Sequence, residues 1–142
     1  MGDKKNARAI WKGENLEFHG VLGSGYEFEM SSDAGTHGGS PMEIFLAGVA
    51  GCTAVDIVLI LKKMQKNITG LEVEIIGTRA DEIPKVYTDA ELFYTITGDV
   101  DAKSVESAIK LTKEKYCSAS IMFAAAGVQF STSYEIVRSG GG

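Results

Sequence analysis

The chain has 142 residues, 44 % of them apolar and 23 % charged, a composition suited to one globular domain with a real core. Its formal net charge is −5. No cluster of Lys and Arg offsets that acidity, which excludes nucleic acid as a partner, because phosphate recognition needs concentrated positive charge.

The opening MGDKKNARAI carries no apolar leader, so a cytoplasmic protein is expected. In that compartment two cysteines are more often catalytic or simply reduced than a structural disulfide. A single domain is expected over residues 1–138, with a flexible tail at 139–142.

Three short alternating segments come first: Ala7 to Trp11, Leu16 to Val21 and Tyr26 to Met30. Gly13-Glu14-Asn15 and Gly23-Ser24-Gly25 separate them as turns, which predicts a β-meander. The segment Asp33 to Gly39 reads as a mobile glycine-rich loop. Its glycines lack the spacing of a phosphate loop, and no strand leads into a helix around them, so no nucleotide cofactor is expected.

A helix starts next. Ser40 is a good N-cap, Pro41 fits the first helical position and Glu43 completes a capping box. The helix is predicted to reach about Lys66, with Asn67 near its C-cap and Lys62, Lys63 and Lys66 facing the negative end of the dipole. Ile44 to Leu61 is almost wholly apolar. As a membrane span it is barely long enough, and it contains Asp56, Gly48 and Gly51. A helix buried on nearly all sides fits better. One chain of this size has little else to cover it, whereas a second copy would, with Ala47, Gly48, Ala50 and Gly51 permitting close approach. A homodimer is therefore predicted.

Strands follow at Leu71 to Arg79 and Ala90 to Thr97, joined by a polar loop through Asp81 to Lys85. Val100 to Tyr116 reads as an amphipathic helix. A shorter helix is expected over Ser118 to Ala126, stopped by Gly127. Val128 to Val137 is the last strand. The order βββ-α-ββ-αα-β, with mostly hairpin links, predicts an α+β fold with antiparallel sheets.

Cys52 and Cys117 are the candidate reactive groups. Cys52 is mid-helix, where burial alone would raise its pKa, and Asp56 lies four residues on along the same face. A reactive Cys52 needs a nearby cation, and Arg8, Lys12, Arg79 and Lys115 are the candidates. Cys117 precedes a predicted helix start, where N–H groups and the dipole favour a thiolate. Taken alone, Cys117 is thus the better candidate for a lowered pKa. For each cysteine taken separately, a small buried hydrophobe is the favoured explanation over a reactive thiol.

The 65-residue interval is neither a C-x-x-C motif nor a zinc spacing, and His19 and His37 stand at no recognisable interval from the cysteines. Glu43 is either an acid–base partner or simply half of the capping box. It lies nine residues before Cys52, about 13.5 Å of rise and half a turn away, so it can reach only the Cys52 of a partner subunit.

Ser40-Pro41-Met42-Glu43 through Gly51-Cys52-Thr53-Ala54-Val55-Asp56 resembles the first-cysteine helix of the OsmC/Ohr family, and Tyr116-Cys117-Ser118-Ala119-Ser120 resembles its second-cysteine turn. The similarity spans nearly the whole chain and is greatest to the branch of uncharacterised OsmC-like proteins. The resemblance implies an OsmC-like fold, antiparallel sheets around two central helices, in an intertwined homodimer with sites at the subunit interface. It also implies reduction of organic hydroperoxides. Cys52 would become a sulfenic acid, Cys117 would resolve it as a disulfide, and an external dithiol would restore both. No cofactor or metal is implied.

Two positions depart from the family pattern. Met42 stands where the family carries its glutamate, with Glu43 one residue later and turned by about 100°. The first turn, Gly13-Glu14-Asn15, has no arginine. The resemblance thus leaves two readings: a thiol peroxidase with Cys52, Cys117 and Glu43 at its site, or a non-catalytic protein that binds a small ligand or senses oxidants. Phe45, Ile121, Met122 and Phe123 suit an apolar peroxide pocket or an ordinary core.

Overall fold

The computed structural model describes residues 2–33 and 38–138. The glycine-rich loop expected at 33–39 falls outside them at 34–37, as do His37 and the tail 139–142. The chain clusters into two compact units, Met1–Phe45 and Leu46–Gly142.

The first unit is the predicted meander. Strands β1 (Ala7–Trp11), β2 (Glu17–Leu22) and β3 (Glu27–Ser31) pair antiparallel in that order. The turns fall where expected, with Gly13 at φ 90°, Asn15 at φ 50° and Gly25 at φ 96°. These left-handed positions are what Gly and Asn tolerate. Gly20 on β2 is needed for another reason. The Phe28 ring from β3 covers it, and a Cβ there would lie 2.7 Å from the ring. The unit closes on the capping box that opens helix α1 (Pro41–Lys63).

In the second unit, β4 (Asn67–Arg79), β5 (Tyr87–Asp99) and β6 (Gln129–Val137) form one sheet in chain order. Helices α2 (Ala102–Leu111) and α3 (Ser118–Ala125) lie between β5 and β6 in sequence, linked by a π-helical turn at Thr112–Tyr116. The predicted fully antiparallel sheet is corrected in one place. β4 and β5 are antiparallel, but β5 and β6 are parallel. The helices between them form a crossover that carries the chain back to the starting end of β5, and a strand entered that way must run parallel.

Alternation along central strand β5 sends Ala90, Leu92, Tyr94 and Ile96 inward. Leu92, Tyr94 and Ile96 pack with Ile57 and Leu61 of α1 and with Val105, Ala108 and Ile109 of α2. A fully buried Leu or Ile contributes about 1.5–3 kcal/mol, so this cluster is the main anchor of the unit. Ala90 joins a second cluster with Val49, Phe123 and Val128.

Helix boundaries differ slightly from expectation. α1 ends at Lys63 rather than near Lys66, because Gln65 adopts φ 61° and Asn67 already belongs to β4. α2 begins at Ala102, capped by Asp101, whose carboxylate accepts from the Ser104 N–H at 3.1 Å. The expectation of an α1 buried on nearly all sides does not hold within one chain. Val49, Thr53, Ile57 and Leu61 are buried, while Val55 and Leu59 are 58 % and 60 % exposed. By length and composition α1 would also cross a membrane, yet one of its faces is built into the core of this unit.

Candidate functional site

Cys52 lies mid-way along α1 and is half-buried; Cys117 follows the π-helical turn, caps α3 and is fully buried. The fold brings these two free thiols together. The Cys52 side chain lies close enough to Cys117 to act on the Cys117 ionisation. The meeting follows from the elements. α1 passes over the β4–β5–β6 sheet, and the π-helical turn ends the α2 segment with a Cys117 N–H to Thr112 carbonyl bond of 2.8 Å. The wider i→i+5 turn offsets the helical register just before the cysteine.

The expected lowering of the Cys117 pKa is corrected. Burial raises it, against the hydrogen bonds from the Ser120 hydroxyl and backbone that lower it, and Cys52 adds to the rise. The local geometry is the one anticipated at a helix start. The sulfur accepts from Ser120 Oγ at 3.0 Å and from Ser120 N–H at 3.4 Å. Desolvation outweighs both bonds.

A buried hydroxyl chain runs beside the thiols. Tyr94 OH and Thr53 Oγ1 are 2.8 Å apart, Thr53 Oγ1 and Thr112 Oγ1 3.2 Å, and Thr112 Oγ1 donates to Asp56 Oδ2 at 2.8 Å. Burial raises the Tyr94 pKa, the Thr53 bond lowers it, and the charges of Cys117 and Asp56 raise it further. The sequence marks Asp56 as a charge that speaks against a membrane span and as an unfavourable neighbour of Cys52. Its observed partner is Thr112, and Tyr94, Thr53, Thr112 and Ser120 had not been singled out. One signal was available: Thr53 and Asp56 are the only conventional polar side chains between Ile44 and Leu61.

Glu43 occupies the capping box in both directions. Its Oε1 accepts from Ser40 N–H at 3.0 Å, and its own N–H donates to Ser40 Oγ at 3.2 Å. The Ser40 backbone bond, then the Ser40 side chain, hold its carboxyl below the usual range. Of the candidate cations, Lys12 pairs with Glu29 at 2.5 Å, Arg79 Nε donates to the Lys85 carbonyl at 2.8 Å, and Lys115 sits 5.5 Å from the centre of the Tyr116 ring. Arg8 is exposed on β1. His19 is clamped between Glu27 and Glu29, which raise its pKa.

Among the apolar candidates, Phe123 is core, 5.8 Å from the Tyr87 ring and 6.3 Å from Phe130. Phe45, Ile121 and Met122 are exposed at 57 %, 39 % and 65 %. An apolar groove of about 380 Å³ opens elsewhere, lined by Asp56, Leu59, Lys63 and Tyr116 among others.

Residues 32–133, which hold both cysteines, match the family model described as OsmC-like protein. The chain belongs to the OsmC-like family. It is 37 % identical to Protein YhfA of Escherichia coli (strain K12) over 134 residues, 94 % of this chain and 98 % of that one. A hypothetical protein from Aquifex aeolicus VF5 shares its fold at 28 % identity and a TM-score of 0.87, over 97 % of this chain and 99 % of that one. An organic hydroperoxide resistance protein OsmC from Legionella pneumophila matches at 17 % identity and a TM-score of 0.73, over 94 % and 97 %. At that identity the likeness carries the OsmC-like fold alone. The family and α+β fold class expected from the two cysteine segments are thereby shown.

Proposed function

We propose that this OsmC-like protein is a thiol-dependent peroxidase that reduces organic hydroperoxides to alcohols. The observation that carries the reading is that a half-exposed free thiol lies near enough to a buried one to act on its ionisation. The Cys52 sulfur attacks the terminal peroxide oxygen. The O–O bond breaks, the alkoxide leaves as the alcohol after taking a proton, and Cys52 becomes a sulfenic acid. The Cys117 sulfur then displaces the hydroxyl as water and closes a disulfide. A dithiol reduces that disulfide by exchange, a supply that the cytoplasm provides. The Legionella pneumophila relative, named for organic hydroperoxide resistance, supports the substrate class.

The working form in this proposal is a homodimer, in which Glu43 serves as acid–base partner to the Cys52 of the other subunit. In its own chain that carboxylate is held by Ser40.

The test is stoichiometric cumene hydroperoxide followed by thiol counting and mass spectrometry. Both thiols should vanish, with one intrachain Cys52–Cys117 disulfide, and Cys52→Ser should abolish peroxide consumption. Thiols that stay free under excess peroxide would rule the reading out. Glu43→Gln keeps an acceptor for the Ser40 N–H but loses the charge. It should slow reduction without loss of helix content, and an unchanged rate removes Glu43 from the reaction.

The alternative, an oxidant sensor or small-ligand binder without turnover, draws on the first turn, which lacks arginine. It predicts the same disulfide but no sustained turnover with any dithiol.

A further inference from the structure

Thr53, Tyr94 and Thr112 are wholly or almost wholly buried, at 1 %, 1 % and 0 % exposure. Valine would fill either threonine site at similar volume, so packing alone does not call for hydroxyls there. A buried hydroxyl is costly wherever it is left unpaired. Among the described residues no buried side-chain oxygen or nitrogen lacks a partner. The pairing here has one direction. Thr112 gives its single hydroxyl proton to the bond with the Asp56 carboxylate, so its Oγ1 accepts from Thr53, whose Oγ1 in turn accepts from Tyr94.

The members of this chain come from the segments that carry the thiols. Thr53 adjoins Cys52 in α1, and the half-buried Asp56 lies about one helical turn beyond Cys52. Thr112 opens the π-helical turn that ends at Cys117. It is bonded on both sides. Its hydroxyl meets Asp56 at 2.8 Å and Thr53 at 3.2 Å, and its carbonyl accepts from the Cys117 N–H at 2.8 Å. Thr112 thus joins the stretch of α1 that bears Cys52 to the Cys117 backbone. Beyond it, Ser120 Oγ and N–H hold the Cys117 sulfur at 3.0 and 3.4 Å. The apolar contacts between α1 and α2 are non-directional, whereas a hydrogen bond weakens steeply off its line. The bonds on Thr112 therefore set the register between α1 and the π-helical turn.

We propose that Thr112 is a positioning residue for disulfide closure, holding the Cys117 backbone in the register that keeps its sulfur near Cys52. The proposal rests on the reading of Cys52 and Cys117 as a reacting pair. In the step it serves, the S–S bond forms while the Cys117 S–H and Cys52 S–O bonds break. The departing hydroxyl takes the thiol proton and leaves as water. The oxidant is the Cys52 sulfenic acid formed from the hydroperoxide. Thr112 takes no part in the bond changes and acts only through the placement of Cys117.

Closure can be measured without peroxide. The full-length, reduced protein is mixed with 4,4′-dithiodipyridine. Cys52, the more exposed thiol, displaces one thiopyridone to form a mixed disulfide. Attack by Cys117 on the Cys52 sulfur then releases a second thiopyridone as the Cys52–Cys117 bond forms. The first release quickens with reagent concentration and serves as the internal reference. The second does not, which separates closure from direct attack of the reagent on Cys117.

Thr112→Val keeps the volume and the carbonyl but loses the hydroxyl. Relative to the first release, the second should slow by roughly a hundredfold, the loss expected when a reacting atom is misplaced by about 1 Å. Thr112→Ser should restore it. Asp56→Ala removes the anchor from the α1 side and should slow closure in the same way. A merely structural role would lower the melting temperature and leave the ratio of the two rates unchanged in the folded protein. Equal ratios in the wild type and folded Thr112→Val overturn the proposal, as does a Thr112→Ser variant that fails to restore closure or a wild type with no second release. If Thr112→Val does not fold, the ratio in Asp56→Ala decides by the same criterion. A protein that consumes no hydroperoxide yet passes this test keeps Thr112 in its role and loses the peroxidase reading.

Discussion

Two opposed influences meet on the Cys117 sulfur. Helix-start donors from Ser120 favour the thiolate, and enclosure in the core disfavours it more strongly. In Cys52→Ser the contribution of the neighbouring thiol is gone but the burial remains. Iodoacetamide labelling of Cys117 should therefore rise only at a pH above the ordinary thiol range, about 8.5. Because the folded pKa is raised, the stability this group contributes is complete below its unfolded pKa and is lost as pH rises through the folded value. A labelling midpoint below the free-thiol value would show that the Ser120 donors win. Motif spacing located both cysteines, but the buried chain of Tyr94, Thr53 and Thr112 hydroxyls required tertiary information. Thr53 and Asp56 stand out in the apolar run of α1. Tyr94 does not, because strand alternation points it inward like any core aromatic and says nothing of what its hydroxyl meets.

At the level of elements, local chemistry made starts more legible than ends. Ser40, Pro41 and Glu43 announce α1, and the bonds observed there are the ones their side chains require. Its end carries no glycine. Gln65 takes the left-handed position, with Gln65 N–H bonded to Lys62 O and Lys66 N–H to Leu61 O, both at 2.9 Å. This is a Schellman closure built on a residue with a Cβ. Relief of the left-handed strain makes Gln65→Gly stabilising by about 0.5–1 kcal/mol, after allowing for the greater freedom of glycine in the unfolded chain. Urea unfolding measures it, and a loss of stability would mean that the Gln65 side chain contributes more than its backbone costs. The π-helical turn at Thr112–Tyr116 and the parallel entry of β6 were not legible at all. The first depends on where the 3.6-residue register must slip to present Cys117, and the second on which end of the sheet the crossover returns to.

The molecule as a whole leaves one face of α1 unexplained by a single chain. Gly48, Gly51, Val55 and Leu59 follow one another at helical spacing, and all four are exposed. Only 22 % of the most apolar stretch of the helix is buried. Two glycines within a helix cost about 1 kcal/mol each relative to alanine, and in one chain nothing lies within 4 Å of a Cβ added at either. If the protein were monomeric, Gly48→Ala and Gly51→Ala would each stabilise it by about that amount. The proposed homodimer predicts the opposite sign. A second α1 packed against this stripe leaves no room for the added methyl, so overpacking should weaken association and lower the melting temperature at a given protein concentration. Sedimentation across a concentration series, read beside thermal unfolding of the same samples, separates the two. A shift toward monomer with lower stability supports the paired helix, whereas a gain of stability with unchanged mass assigns the face to something other than a second copy.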